Sequence, residues 1–271
     1  MTIENATPTE PAASASADGA ALRALRILEA VATGVGPHRL GHIAAETGVS
    51  KPSVHRILAQ LGEAGFVSAD GFGRYAPGPR SYALAARLSG AHGVGAESIL
   101  RQFQSDVDNT VHVGLRSGNQ AVYVNKIEGN QPYRMASHVG MQLPLHSTAI
   151  GKAILAYLPA SERAQLLAEV GMPARTPATL TDLDKLEANL AEVRDRGYAV
   201  DDEENEPTIR CVAAALLDRQ GRPIGGLSIS TVTFLVTSQD LLALTPRLAE
   251  TAALLAPWYV AATPAHDRAR R

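Results

Sequence analysis

The residue types with the most chemical content fall into two groups. The first lies between Arg39 and Arg74. Lys51, Ser53, His55, Arg56 and Gln60 are spaced to share one side of a helix, while Val54, Ile57, Leu58 and Leu61 recur at i, i+3, i+4 and i+7 on the other. The apolar side must be buried, and the polar side is left for water or for the base edges of a DNA groove. The second group is Asp201, Cys211, Ser228 and Ser230, together with a helix start near Ser147 and Thr148. Ser228 and Ser230 are two apart and share one face of a strand, with Leu227 and Ile229 on the other. Two hydroxyls in a core-like strand need partners, which a polar ligand, the backbone or water can supply. Asp201 ends a strand and can accept a hydrogen bond from a ligand hydroxyl; equally, it can be one more solvated acid of the Asp201–Asn205 run. Cys211 reads most simply as a small buried hydrophobe.

A nucleophile is the competing chemistry. Cys211 or Ser228 would attack, with His146 or His112 as base. However, the run from Gly226 to Ser230 lacks the second glycine of a nucleophile elbow and continues as a strand. The expectation is therefore a binding site without catalysis. His38 and His42 form the only histidine pair at i, i+4 spacing, and Pro37-His38-Arg39 reads better as the entry to a helix. No metal and no cofactor is expected.

The elements that must position these groups follow from periodicity and turn chemistry. Leu40, Ile43 and Ala44 form a short helical stripe that ends at Gly48, and Ser50 stands as N-cap before Pro52 in the first turn of the next helix. Helix, glycine turn and helix make a helix-turn-helix. A preceding helix over 21–32, with Leu22, Leu25, Leu28 and Val31 or Ala32 in register, would pack beneath it. After Gly65, two β-prone runs around Asp70-Gly71-Phe72-Gly73 read as a hairpin, which makes a wing carrying Arg74. The candidate DNA contacts are thus Arg39, Ser50, Lys51, Ser53, His55, Arg56, Gln60 and Arg74. A helix from Pro79 to Ser89 leads to a glycine-rich break over 90–95, the expected domain boundary. Beyond it, a helix over 96–108, hairpins at 111–128 and 211–232, a strand at 133–137, helices at 147–157, 161–170 and 183–196, and a closing helix at 239–260 predict a mainly antiparallel sheet flanked by helices. The class is α+β.

Length and composition agree. The 271 residues, 45% of them hydrophobic, suffice for two domains, and a disordered or fibrous chain is excluded. A single cysteine forbids an intrachain disulfide, and the absence of a signal peptide or long apolar run predicts a cytoplasmic protein with no membrane association. The net charge of −2 hides an asymmetry, since residues 20–90 hold eight Lys or Arg against four Asp or Glu. That bias suits a phosphate-facing segment. Residues 1–19 and 263–271 read as tails.

The order and wording of the chain resemble the IclR-type bacterial transcriptional regulators. The likeness rests on ALRALRILEAVA, GVSKPSVHRIL, GRYAPG, LPLHSTAIGKAILA, RDRGYAVDDEENEPTIRCVAA and GGLSIS, which span about Leu22 to Thr231. It implies a winged helix-turn-helix domain over 20–78, a linker helix over 79–95 and a GAF-like effector-binding domain over 96–262. It also implies dimers or dimers of dimers, and a palindromic double-stranded DNA operator whose binding is modulated by a small effector, a carboxylic acid by expectation. The positions that contact such effectors in relatives map to Ala149, Ile150, Asp201, Cys211, Ser228 and Ser230. Two departures stand out: Ala76 replaces a basic residue common in the wing, and Thr208 replaces a common glycine.

Overall fold

The computed structural model describes residues 19–33, 37–131 and 133–260, without the side chains of 86–94. Both expected tails lie outside these residues, apart from Gly19. The chain divides into two compact units at Gly90/Ala91.

In the first unit, α1 (Ala20–Ala32), α2 (Leu40–Thr47) and α3 (Lys51–Glu63) surround a core of Ile27, Val31, Ile43, Val54 and Leu58. The stripe of α3 is buried as its period requires, although Leu61 is only partly covered. Gly48 takes the left-handed conformation (φ 66°) that lets the chain reverse between α2 and α3. Ser50 occupies the N-cap position, but its hydroxyl donates to Ser53 Oγ (3.0 Å) and caps no backbone N–H. The register of α1 differs from the sequence expectation. Ile27, Ala30 and Val31 are buried with Ala24 and Leu28 beside them, whereas Leu22 and Leu25 are exposed. Two leucine-bearing stripes compete on this helix, and the one carrying Ile27 faces the core. The wing is a three-stranded antiparallel sheet in the order β1 (His38–Arg39), β3 (Arg74–Pro77), β2 (Val67–Ala69). His38 and Arg39, expected at a helix entry, do lead into α2, with Arg39 at its N-cap, and they also pair with Tyr75 and Arg74 as the third strand of the wing.

The helix α4 (Pro79–Val107) runs unbroken through 90–95, so the glycines there do not end it and the expected separate linker is part of one longer helix. Its last turns bury Ala96, Leu100, Phe103 and Val107 in the second unit.

The second unit is built on a six-stranded, wholly antiparallel sheet in the order β6 (Gln142–Pro144), β5 (Gln120–Ile127), β4 (Thr110–Ser117), β9 (Pro223–Val232), β8 (Ile209–Leu217), β7 (Ala199–Asp202). One face, with Val111, Val113, Leu227, Ile229 and Val212, packs on α4 and α9 (Thr245–Val260). The other face is made of small residues and receives α5 (Ala149–Tyr157), with α6 (Ala160–Val170) and α7 (Leu183–Arg196) outside it. A Cβ on Gly114 or Gly226 would meet Ile150 at 3.2 and 3.3 Å, so the missing side chains are what let α5 settle on the sheet. Two expectations fail here. No strand forms over 133–137, where the carbonyls of Met135 and Ser137 instead accept from Lys126 Nζ at 2.9 and 2.7 Å. The closing helix is divided into α8 (Ser238–Ala243) and α9, because Pro246 has no N–H with which to continue α8.

Thr208 adopts φ 65°, a conformation that costs a β-branched residue about 1–2 kcal/mol and costs glycine almost nothing. Its N–H donates to Glu203 Oε2 (2.8 Å) and its carbonyl accepts from Thr233 N–H (2.8 Å), so the turn is held by bonds that any residue can make. Thr208→Gly is therefore expected to raise the unfolding free energy of the second unit by about 1 kcal/mol in chemical denaturation. A loss of stability would show that the side chain contributes more than the strain costs.

Candidate functional site

On the first unit, α3 presents Lys51, His55, Arg56 and Gln60 exposed and Ser53 half-exposed along one side, while Val54, Ile57 and Leu58 anchor the other. Arg39, Ser50 and Arg74 are exposed as well. Because β1 pairs with β3, Arg39 and Arg74 stand directly opposite each other in the wing sheet, a juxtaposition that sequence spacing did not reveal. At the tip of the wing, Asp70 Oδ1 accepts from the N–H groups of Phe72 (2.7 Å) and Arg74 (3.1 Å), which sets the turn before Arg74. A helix side of donors and acceptors beside a wing with two arginines fits a duplex, in which bases are read in the groove and phosphates are gripped at its edges.

On the second unit, the structure brings all six expected effector residues to one cavity of about 70 Å³. Strand register explains the convergence. Asp201 pairs with Cys211, Cys211 with Ser230, and Ser230 with Thr110, while Ser228 pairs with His112, so one face of four strands carries the polar wall. α5 closes the opposite side with Ala149 and Ile150 in its first turn. Thr148 is its N-cap: Oγ1 accepts from Gly151 N–H (3.0 Å) and donates to Pro144 O (2.7 Å). The N–H groups of Ala149 and Ile150 have no acceptor within the helix and lie at its positive end, an arrangement that favours an anion.

Each polar wall group has a distinct state. Ser228 is 2% exposed, and its hydroxyl has no hydrogen-bond partner among the described residues. A buried hydroxyl left unpaired costs about 1–3 kcal/mol, which a ligand in the cavity can recover. His112 stacks on Tyr123 (4.4 Å between centroids) and shares hydrogen bonds with Ser137 Oγ (2.9 Å) and Ser230 Oγ (3.3 Å). Burial pushes its pKa down to about 3, so the imidazole is neutral. Asp201 Oδ1 accepts from the N–H groups of Glu204 (2.8 Å) and Asn205 (3.2 Å), and burial, the larger effect, lifts this carboxyl to about 7. Burial also raises the Cys211 thiol far above its ordinary value, so it stays protonated. His112 and Ser137 are cavity groups that the sequence reading did not assign to effector binding. Nor did it single out Lys152, which is wholly buried in α5 and ion-paired with Glu204. A lysine inside the apolar stripe of α5, with an acidic run elsewhere in the chain, was the available signal.

The comparisons with known proteins match both units. Residues 20–71 match the family described as IclR helix-turn-helix domain, and residues 94–256 match Bacterial transcriptional regulator IclR C-terminal. The HTH-type transcriptional regulator XynR of Escherichia coli K12 is 34% identical over 228 residues, which cover 81% of this chain and 88% of its own length. The crystal structure of an IclR regulator from Alicyclobacillus acidocaldarius superposes with a TM-score of 0.75 at 30% identity, covering 88% of this chain and 98% of the other. An IclR homologue from Microbacterium hydrocarbonoxydans, crystallised with 4-hydroxybenzoate, shares the fold at 19% identity (TM-score 0.71, covering 90% of this chain and 100% of the other). The chain belongs to the IclR family of bacterial transcriptional regulators. It is a DNA-binding regulator with a small-molecule effector; the winged helix-turn-helix lies in the first unit and the cavity in the second. No helix among the described residues is long and apolar enough to cross a membrane.

The state of Asp201 has a measurable consequence. Its folded pKa lies above the ordinary carboxyl value of 3.8, so the folded state holds a proton that the unfolded state has lost between about pH 4 and 7. The cost of ionising it is absent below pH 4 and complete above pH 7. Asp201→Asn, which removes that cost, is expected to raise Tm more at pH 8 than at pH 5. An equal change at both would show that the carboxyl is already ionised at pH 5.

Proposed function

We propose that the cavity of the second unit binds a small organic acid and that its occupancy changes how tightly the protein holds a palindromic operator. The observation that carries the reading is the buried, unpartnered Ser228 hydroxyl in a cavity that ends at the N-terminus of α5. The ligand's carboxylate meets the N–H groups of Ala149 and Ile150, and its remaining polar atoms meet Ser228, Ser230 and Asp201. The Microbacterium homologue's 4-hydroxybenzoate supports the acid class.

The protein acts as a homodimer or a dimer of dimers. Leu22, 45% exposed, and Leu25, 58% exposed, lie on α1 and favour a second copy that covers them. Paired recognition helices then bind two half-sites. In this reading the protein is not an enzyme and works in the cytoplasm. The hydrolase reading loses support from hydrogen bonding: His112 serves Ser137 and Ser230, His146 serves the Pro173 carbonyl (3.0 Å), and neither bonds to Cys211 or Ser228 among the described residues.

For DNA binding, Arg56→Ala is expected to cost about 1–3 kcal/mol on an operator selected from a random duplex pool, with a much smaller loss on unselected DNA. Lys51→Ala should chiefly flatten the salt dependence. Equal losses for Arg56→Ala on both DNAs would show that it grips phosphate and reads no base. For the effector, thermal shift against glycolate, lactate, pyruvate and aromatic acids is the direct test. An acid present at about 100 times its Kd adds roughly 2.7 kcal/mol to stability. Ser228→Ala should abolish the shift, and a shift of full size in that variant would remove the hydroxyl from the site.

A further inference from the structure

The acid-binding cavity has a charge problem that its own groups must solve. Asp201 and Glu206 line it, and among the described residues no Lys or Arg does. The groups facing Asp201 relieve this only in part. On α5, Lys152 is ion-paired with Glu204 in the loop after β7, and its pull on the Asp201 carboxyl is outweighed by burial. On β8, Cys211 is protonated, and on β4, His112 is neutral. On β5, Tyr123 is likewise held in its neutral form by burial. Asp202, next in β7, is turned to solvent and paired with Arg210 (2.6 Å). An anionic ligand entering here would make a third carboxylate beside Asp201 and Glu206, in a space closed to water on most sides. Like charges crowded together in such a place cannot all stay ionised.

We propose that the cavity takes its acid effector together with one proton from solvent, and that Asp201 is the group that holds it. The inference rests on the acid-effector reading above. Asp201 is the favoured acceptor on geometry. Glu206 is exposed and keeps its hydration, and Glu204 has the Lys152 ammonium against Oε1. Asp201 is 3% exposed and has no cation of its own. Its Oδ1 already accepts from two backbone N–H groups, and among the described residues no protein group donates to Oδ2. A proton on Oδ2 removes the charge that repels a carboxylate held by the N–H groups of Ala149 and Ile150, and turns that oxygen into a donor for one of the ligand's remaining polar atoms. Burial supports this assignment, because it has already brought the carboxyl close to neutrality at about pH 7. Effector binding then tightens as the surroundings acidify.

The test uses the full-length protein, with glycolate, lactate, pyruvate and 4-hydroxybenzoate as probes. Isothermal titration is run between pH 6 and pH 9 in buffers of different ionisation enthalpy, which counts protons directly. For a probe that binds, the expected result is close to one proton taken up at pH 8, with Kd nearly constant at pH 6 and rising about tenfold per pH unit above pH 7. Asp201→Asn should lose both the proton and the slope, while Glu206→Gln should keep both. Wild-type binding with no proton uptake overturns the proposal and leaves the acid-effector reading intact. A slope that survives in Asp201→Asn also overturns it, by placing the proton elsewhere. Failure of every probe to bind at any pH overturns the acid-effector reading, and this proposal with it.

Discussion

The close approach of α5 to the sheet is the constraint on which the second unit depends. Ile150 rests on Gly114 and Gly226, and Ala121, Ala199 and Ala213 keep the face around them low. Interiors are packed too densely to leave such a face uncovered, so a helix lies directly on it. The polar strand positions, Ser228, Ser230, Asp201 and Cys211, lie on that same face near the helix start. One packing event therefore buries the apolar helix, aims its N-terminus, and encloses hydroxyls that would otherwise meet water. The cavity is what remains where small residues give way to polar ones.

Holding that arrangement requires the acidic loop after β7 to stay in place, and an unusual amount of buried polar bonding does so. Lys152 reaches Glu204 from within α5, Asp201 accepts from the loop's own N–H groups, and Thr176 and Thr179 donate to the carbonyls of Glu203 and Glu204 at 2.6 Å each. Buried ion pairs add little net stability over apolar packing, yet removing one partner is costly. This network therefore specifies one loop geometry more than it strengthens the fold. Its position beside the cavity places the best-defined part of the loop where a ligand would meet it. The strain at Thr208 sits just beyond, at the loop's exit into β8.

The helix-turn-helix was legible because its signals are local. The Val54, Ile57, Leu58 stripe, Gly48 at a left-handed turn and Pro52 in a first turn act over a few residues, and all three hold in the structure. The failures came where local signals tied or conflicted. In α1 two apolar stripes were available, and only packing against α2 and α3 chose Ile27 over Leu25. The glycines at 90–95 read as a break, yet helix α4 continues through them, because glycine weakens a helix by only about 1 kcal/mol per residue. The run at 133–137 has strand-like residues, but Lys126 takes up two of its carbonyls.

Sequence alone determined that a helix-turn-helix and a wing exist, that a mixed second domain follows, and, with the resemblance to relatives, which six residues to expect at one site. These conclusions rest on periodicity, turn chemistry and wording, which are properties of the chain read in order. Only the tertiary structure decided what those residues are to one another. Antiparallel register set Asp201 beside Cys211 and Ser230 across about thirty residues of chain, and it set Arg39 opposite Arg74. Burial then determined their chemistry, leaving His112 neutral, Ser228 unpaired and Asp201 near its titration point at neutral pH. Desolvation depends on everything packed around a group, so no spacing along the chain could have shown it.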